Sequence, residues 1–170
     1  IFFTICLVGL CENRFVIFKQ VFLFYLYTFV LLIVHQYVMK IIIAGAGEVG
    51  FHLAKLLSFE SQDIILIDTN RESLAYASSH LDIRVVRGNA TSILVLKEAN
   101  VQNTDLLIGV TSSETTNITA CVLAKQLGAK HTIARITNTE FIHNKDEVGF
   151  EKIGIDELIS PESLAAKEIE

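Results

Sequence analysis

Apolar and polar positions follow two alternating patterns along the chain from Met39 onward. Short apolar runs of strand length are separated by stretches in which apolar positions recur three and four residues apart, the spacing of one helix face. The runs predict strands at Lys40–Ala44, Ile64–Ile67, Ile83–Arg87, Asp105–Val110, His131–Ile136 and Leu158–Ile159. The other stretches predict helices at Val49–Leu57, Arg71–Ser79, Ile93–Ala99, Glu114–Leu127 and Thr139–Lys145. Regular alternation of strand and helix predicts an α/β fold, a single domain built on a Rossmann-like, doubly wound parallel sheet.

Polar residues and glycines at the ends of these stretches are typical of helix termini. Asn70 is placed to cap the second helix at its start, and Gly128 is placed to end the fourth. Within the first helix, we expect Leu53, Leu56 and Leu57 to share the face that packs on the sheet.

The residues before Met39 differ in composition from the rest of the chain. They hold seven of the eleven phenylalanines and only three charged side chains. Residues 21–34 are apolar apart from Thr28, and this run of fourteen is shorter than the about 20 residues of a membrane-spanning helix. Met39 is the only methionine and stands directly before the first strand. We therefore expect residues 1–38 to be upstream or non-native sequence read in frame, with a membrane segment as the alternative.

The charge of the remaining chain is acidic. From Met39 onward it has 12 basic and 18 acidic residues, and the basic residues form no run. This balance argues against a nucleic acid as partner. Cys6, Cys11 and Cys121 do not have the spacing of metal ligands, so we expect no metal site.

A glycine-rich turn joins the first strand to the first helix. Gly45, Gly47 and Gly50 match G-x-G-x-x-G, in which the glycines permit a tight turn, close approach of a pyrophosphate and close packing of helix on strand. Asp68 ends the second strand, 21 residues after Gly47, close to the spacing of an acid that binds a ribose. The strand–turn–helix context favours a dinucleotide site over an ordinary glycine turn followed by a helix-capping aspartate.

Polar side chains after the fourth and fifth strands should lie at the same edge of the sheet. Thr111 and Ser112 follow the fourth strand, where a parallel sheet binds ligands, and Ser113 is placed to cap the next helix. Arg135 lies near the end of the fifth strand, where its guanidinium could bind a phosphate or form a surface ion pair. These residues extend the candidate ligand site beyond the glycine turn.

Candidate catalytic residues are not found next to this site. His52 and His80 fall on or after the first two helices, and His131 begins the fifth strand at the opposite edge of the sheet. A dehydrogenase needs an acid or base near the nicotinamide and a place for its substrate. We therefore expect a binding domain that is not an enzyme, with no catalytic residue.

Met39–Glu170 resembles the N-terminal RCK (KTN) domains of TrkA-type regulatory subunits of potassium-uptake systems. The resemblance is carried, in order, by MKIIIAGAGEVG, LIDTN, DIRVVRGNAT, VTSSETTN, IARI and IDELISPESL. It implies an NAD-binding Rossmann domain over residues 39–160 and the start of a truncated crossover helix over residues 161–170. It also implies a cytoplasmic domain, peripheral on the inner face of the cell membrane, that forms homo-oligomers and gates a membrane-embedded potassium transporter.

The resemblance implies roles for individual residues at a site for NAD or NADH, with ATP or ADP as other possible ligands. The positions matched to the phosphates are Gly45, Ala46, Gly47, Glu48 and Val49. Asp68 is matched to the ribose, and Thr111, Ser112 and Arg135 are matched to the rest of the nucleotide.

Two positions depart from the family's usual pattern. Asn89 stands where many relatives have aspartate, and Thr115 stands in a motif that often reads D-E-T-N, so any charge at these places differs here. The C-terminal ligand domain of such subunits is also missing, which indicates a fragment. A gating domain of a potassium channel that binds ATP or ADP and a small NAD-dependent oxidoreductase remain as alternative functions.

Overall fold

The computed structural model describes residues 38–160, apart from the side chains of Thr139 and Asp146. The predicted N-terminal segment up to residue 37 and the predicted helix after Ser160 lie outside the described residues. Over the described part of the chain, no helix combines the length and the apolar character needed to cross a membrane.

Six parallel strands form one sheet in the order β3–β2–β1–β4–β5–β6. Their bounds are β1 Lys40–Ala44, β2 Asp63–Asp68, β3 Arg84–Arg87, β4 Leu106–Gly109, β5 His131–Arg135 and β6 Glu157–Ile159. The chain builds one half of the sheet outward from β1 and then crosses back to build the other half from β4. This order confirms the predicted Rossmann-like, doubly wound sheet.

Helices connect the strands. Their bounds are α1 Glu48–Phe59, α2 Arg71–His80, α3 Ile93–Glu98, α4 Glu114–Leu127, α5 Thr139–His143, α6 Lys145–Val148 and α7 Phe150–Ile153. A short 3₁₀ turn, Val101–Asn103, precedes β4. The predicted caps are confirmed: the Asn70 side chain accepts hydrogen bonds from the first turn of α2, and Gly128 ends α4 in the left-handed region at φ 115°.

The register of the sheet brings the ends of three neighbouring strands, which carry the candidate site, close together. Ala44 pairs with Ile67 on one side and with Gly109 on the other, so the residues that follow β1, β2 and β4 emerge side by side. The order of the sheet reverses between β1 and β4, and such a switch point is where parallel sheets form a ligand crevice. The glycine turn after β1 therefore lies at the centre of this edge.

Alternating side chains of the strands form a core on each face. Ile42, Ile65 and Leu107 are buried in the cluster that also contains α3 and α4 residues. Ile43 and Leu66 are buried on the other face in the cluster with residues of α1 and α2. Cover on both faces explains why the central strands β1, β2 and β4 are nearly continuous apolar runs in the sequence.

One helix face and one helix differ from the prediction. Leu53 and Leu57 are half-buried against the core as predicted, but Leu56 is 66% exposed, and the residues of α1 that are fully buried are the small Gly50 and Ala54. The helix predicted at Thr139–Lys145 is present but ends at His143. Two further short helices follow it, and each ends at a glycine in the left-handed region, Gly149 and Gly154. A pattern of apolar spacing did not reveal how closely α1 approaches the sheet.

Candidate functional site

The turn after β1 depends on two glycines at which the backbone comes very close to its neighbours. Gly45 has φ 116°, and its N–H donates to the Ile67 carbonyl at 2.8 Å. A Cβ on Gly45 would lie 2.9 Å from the backbone nitrogen of Thr111. A Cβ on Gly50 would lie 1.8 Å from the Gly45 carbonyl oxygen. The turn therefore packs against α1 and against the loop after β4 so closely that Gly45 and Gly50 have no room for a side chain.

Gly47 is different because nothing in the protein crowds it. A Cβ there would have no atom within 4 Å, and its φ of −70° suits any residue. Gly47 also lines the groove described below and begins α1 without a side-chain cap. The first N–H groups of an uncapped helix suit an anion, so a glycine at this position leaves space for a ligand.

The Asp68 carboxylate joins the glycine turn to the start of α2. Its Oδ2 accepts the Ala46 N–H at 2.6 Å, and its Oδ1 accepts the Asn70 N–H at 2.8 Å. These two bonds fix the orientation of the carboxylate at the edge of the sheet. Each carboxylate oxygen has a second lone pair, which leaves capacity for a hydroxyl donor such as that of a ribose.

A groove of about 360 Å³ runs along this edge of the sheet. Its lining comes from the ends of four neighbouring strands. The lining residues are Gly45, Gly47, Ile67, Asp68, Thr69, Gly88, Asn89, Ala90, Val110, Thr111, Ser112, Ser113 and Thr116. Five of the nine predicted site residues therefore meet in one concave surface.

The other four predicted site residues lie around the groove. Ala46 is buried in the turn and donates its N–H to Asp68, while Glu48 and Val49 are exposed in the first turn of α1. Arg135 ends β5, half-buried, and does not line the groove. The roles of these residues in binding stay predictions.

Asn117 holds the loop that forms the second wall of the groove. This side chain is 1% exposed on α4. Its Oδ1 accepts the Thr111 N–H at 2.8 Å and the Thr111 hydroxyl at 2.7 Å. Its Nδ2 donates to the Thr111 carbonyl at 3.1 Å and to the Arg135 carbonyl at 2.9 Å. One amide thus joins the loop after β4 to the end of β5.

The sequence analysis missed Asn117, although one signal was available. A polar residue stands at a position of α4 that shares its buried face with Ala120, Cys121 and Ala124. A buried amide requires hydrogen-bond partners, and loops at the carboxyl ends of the strands could supply them. Ser113 was predicted to cap α4, and its side chain does accept the Thr116 N–H at 3.2 Å.

Glu114 fixes the chain that follows β5. Its carboxylate accepts the Thr137 hydroxyl, the Thr137 N–H at 2.6 Å and the Asn138 N–H at 2.8 Å. The hydroxyl bond and then the two N–H bonds hold the pKa of Glu114 below its ordinary value. Glu114 and Asn117 together connect the groove to the segment beyond β5.

The pH dependence of stability should show how much the hydrogen bonds of Glu114 contribute. Because the folded pKa of Glu114 is lower than the unfolded one, its contribution is complete above the unfolded pKa and is lost as pH falls through the folded pKa. We expect Glu114→Gln to lower the urea midpoint at neutral pH, and to differ less from the wild type in acid.

The control for this comparison is Glu98→Gln, a change at an exposed carboxylate at the end of α3. Burial raises the pKa of Asp156, but hydrogen bonds from Lys125 and Thr132 and the charge of Lys125 bring it below its ordinary value. The stabilisation that Asp156 contributes is therefore also lost in acid, in the wild type and in the variants alike. For this reason each variant is compared with the wild type at the same pH. An unchanged difference between Glu114→Gln and wild type at both pH values would contradict the expectation.

Groups capable of metal or thiol chemistry do not gather in the described part of the chain. Within residues 38–160, no three His, Cys, Asp or Glu side chains are placed to hold a metal ion. Cys121 is buried, and burial raises the pKa of its thiol to about 12, which keeps it protonated. The polar groups that the groove offers to a ligand are therefore backbone N–H groups, hydroxyls, amides and one carboxylate.

Comparison with known proteins gives one family. The model of the TrkA-N domain family matches residues 41–161. The chain is 44% identical over 133 residues to the Trk system potassium uptake protein TrkA of Haemophilus influenzae, covering 77% of this chain and 29% of that protein. It is 37% identical over 132 residues to a TrkA homolog of Methanothermobacter thermautotrophicus, covering 78% and 59%. The chain thus spans between about a third and three fifths of the length of these curated relatives.

Solved structures share the fold. The TrkA-N domain of the inner membrane protein YbaL from Escherichia coli has a TM-score of 0.66 at 20% identity, over 79% of this chain and 96% of that one. The GsuK channel bound to NAD has a TM-score of 0.60 at 18% identity, over 74% of this chain and 22% of the channel. At these identities the likeness shows the fold alone.

Proposed function

The chain belongs to the TrkA-N domain family, and from this membership we propose that it is an NAD(H)-binding regulatory domain of a Trk-type potassium-uptake system. The domain would bind NAD or NADH in the groove and change conformation on binding. That change would gate a membrane-embedded potassium transporter. The proposal places residues 39–160 in the cytoplasm, peripheral on the inner face of the cell membrane and assembled as a homo-oligomer.

The observation that carries the proposal is the pairing of Asp68 with the glycine turn. Asp68 is fixed by the Ala46 N–H at 2.6 Å, and Gly47 leaves open space beside it. A dinucleotide needs both features, because its ribose donates hydroxyls to a carboxylate and its pyrophosphate needs exposed N–H groups without a side chain in the way. The glycine turn follows β1 at the switch point between β1 and β4, and Asp68 ends β2, the neighbour of β1 on its other side.

The ligand can be laid along the groove from these two anchors. The pyrophosphate would lie on the N–H groups of Gly47, Glu48 and Val49, and one ribose on Asp68. The second half of the dinucleotide would extend toward Thr111 and Ser112, which line the other wall. The long side chain of Arg135 would approach the ligand from the end of β5.

Two side chains of α4, Asn117 and Glu114, would connect the ligand site with the chain after β5 and so with a partner. Asn117 bonds the Thr111 loop to the Arg135 carbonyl, and Glu114 bonds the N–H groups of Thr137 and Asn138. A ligand that moves the Thr111 loop would therefore bias the chain after β5. A shift of this kind requires that the ligand bind one arrangement better than the other.

The described histidines favour a regulatory role over catalysis. The Nδ1 atoms of His52 and His80 each lie 2.8 Å from a backbone carbonyl oxygen of their own helix, and His131 begins β5 at the other edge of the sheet. None of these three lines the groove. NADH would therefore be a ligand and not a reactant. The second candidate is a channel gating domain with ATP or ADP as ligand, since the chain shares its fold with the GsuK channel, which has also been solved bound to ADP.

Calorimetric titration of the full chain with NADH, NADPH, ATP and ADP tests the proposal. We expect NADH to bind about tenfold more tightly than NADPH, because the Asp68 carboxylate repels a 2′-phosphate. Tighter binding of NADPH would contradict this, and tighter binding of ATP or ADP would favour the channel candidate. NADH absorbance should stay constant in the same samples when small carbonyl compounds are added.

The matched variant is Asp68→Asn, which removes the charge while keeping the size of the side chain. We expect it to weaken NADH binding and to narrow the gap between NADH and NADPH. Its urea midpoint has to be measured alongside, because the change also replaces one of the two acceptors used by Ala46 and Asn70.

A further inference from the structure

α1 carries an apolar stripe on the side that faces away from the sheet. Val49, Leu56 and Phe59 are exposed on it, and Phe59 has 74% of its surface exposed. His52, which is also exposed, lies between Val49 and Leu56. The intervals between these four residues are three, four and three, so they share one side of the helix, opposite the buried Ala54. Large apolar side chains gathered on one exposed helix face indicate contact with another molecule.

Aromatic rings connect this stripe to α2. The His52 ring lies 5.9 Å from the Phe51 ring, and the Phe51 ring lies 5.1 Å from the Tyr76 ring, measured between ring centroids. Tyr76 is itself exposed. The exposed residues of both helices together form the α1 patch, which consists of Val49, His52, Leu56, Phe59 and Tyr76.

The spacing of the stripe makes it self-complementary. Because the intervals are the same in both directions along the helix, a second copy of α1 in antiparallel orientation presents the same residues in reverse order. Val49 of one copy then lies opposite Phe59 of the other, and His52 lies opposite Leu56. A twofold axis through the middle of the stripe produces this pairing, and such a contact closes on itself as a dimer.

The charged residues beside the stripe also suit a second copy. Glu48 and Lys55 are exposed and seven residues apart, so they lie on the same flank of α1, two turns from each other. In the antiparallel pair the same flanks meet, with Lys55 of one copy about 8 Å along the axis from Glu48 of the other, a gap that the two side chains span. An anionic membrane surface would instead meet the carboxylates of Glu48 and Glu60, which it repels.

We propose that the α1 patch is the surface through which two copies of this chain form a dimer, with their α1 helices antiparallel. This inference rests on the homo-oligomer of the proposed function and not on its ligand. Burial of Leu56 and Phe59 from both copies supplies the driving force for association. The other side of each α1 stays packed on its own sheet, so the dimer needs no rearrangement of the fold.

Sedimentation velocity of the full chain over a range of concentrations, without nucleotide, measures the dimer dissociation constant. We expect Leu56→Asp to raise this constant at least about a hundredfold, because a charge enters the apolar contact twice in a symmetric dimer. The matched control is Leu94→Asp. Leu94 is 78% exposed on α3, which packs on the other face of the sheet, so this change should leave the constant unaltered.

Three results would overturn the inference: a chain that stays monomeric, a dimer that Leu56→Asp does not weaken, or equal weakening by both variants. The first would also remove the homo-oligomer from the proposed function, whereas the other two would leave it in place. NADH binding is measured separately by calorimetry, so none of these results bears on the ligand. Binding to phosphatidylglycerol vesicles that only Leu56→Asp abolishes would assign the α1 patch to a membrane and would also overturn the inference.

Exchange of the two flanking charges tests the orientation of the helices. We expect Lys55→Glu to weaken the dimer about tenfold, because two ion pairs become repulsive contacts between Glu48 and the new carboxylate of the other copy. Addition of Glu48→Lys to this variant should restore most of the affinity, since the pairs form again with their signs reversed. Urea midpoints of all variants are measured alongside, because an acid in the first turn also stabilises α1 itself. A double variant as weak as Lys55→Glu would contradict the antiparallel pairing.

Discussion

Gly50→Ala is expected to destabilise the fold by about 3 kcal/mol or more, at the upper end of the cost of overpacking. The new Cβ would lie 1.8 Å from the Gly45 carbonyl oxygen, and that oxygen belongs to a turn that cannot move freely. Gly45 is itself held by its hydrogen bond to Ile67 and by contact with the Thr111 backbone. The helix propensity of alanine, worth about 1 kcal/mol over glycine, would not compensate. Urea unfolding of the full-length variant measures the effect.

Gly47→Ala is the matched control within the same motif. Its Cβ would meet no protein atom within 4 Å, and the backbone already has a conformation that alanine adopts. We expect the free energy of unfolding to change by less than about 1 kcal/mol. NADH binding should weaken at least about tenfold, because the methyl group enters the groove where the pyrophosphate would lie.

The two substitutions therefore test two things separately: Gly50→Ala tests the packing of the turn, and Gly47→Ala tests ligand binding. Equal stability of Gly50→Ala and wild type would mean that the close approach of α1 to the turn is not as described. Unchanged NADH affinity of Gly47→Ala would place the pyrophosphate elsewhere.

Asn117→Ala is expected to lower the free energy of unfolding by about 3 kcal/mol. The change removes all four hydrogen bonds of a buried amide and leaves the Thr111 N–H and the Arg135 carbonyl without this partner. Each buried polar group left unsatisfied costs about 1 to 3 kcal/mol, and entry of water would reduce the sum. We also expect NADH to bind about tenfold more weakly, because the Thr111 loop loses its anchor.

Thr115→Ala is the control on the same helix. Thr115 is exposed two residues before Asn117, so its loss should change stability by less than about 0.5 kcal/mol. Urea midpoints and calorimetric titrations of both variants provide the comparison. An Asn117→Ala protein as stable as Thr115→Ala would show that the amide network contributes little.

Most of the fold could be predicted because the central strands β1, β2 and β4 are covered on both faces. Burial on both sides demands continuous apolar residues, as in β1 and β2, and such runs are visible without knowledge of the partners. Helix ends were predictable where a cap acts locally, as Asn70 does by accepting the N–H groups of Glu72 and Ser73. The spacing from Gly47 to Asp68 predicted for the same reason that this carboxylate reaches the glycine turn, where it accepts the Ala46 N–H, since one strand–helix–strand unit has a nearly constant length.

The residues that were missed act over longer distances in the sequence. Asn117 bonds to Arg135, which is 18 residues away, and Glu114 bonds to Thr137 and Asn138, which are 23 and 24 residues away. Such contacts depend on which strand ends are neighbours, and a pattern read along the chain does not contain that information.

The exposure of Leu56 has a similar cause. Leu56 was expected to face the sheet, but α1 lies so close to the glycine turn that the small residues Gly50 and Ala54 are the ones fully buried there, with Leu53 and Leu57 half-buried. Apolar spacing gives the presence of a helix more reliably than its rotation about its own axis.

Amide hydrogen exchange with and without NADH tests the central claim most directly, since it reports where on the full chain the ligand binds. We predict slower exchange on NADH binding in residues 45–50, 68–70, 88–91 and 111–113, and loss of this protection in Gly47→Ala. Exchange that is unchanged at NADH concentrations up to the millimolar range, or protection confined to residues outside the groove, would contradict the account.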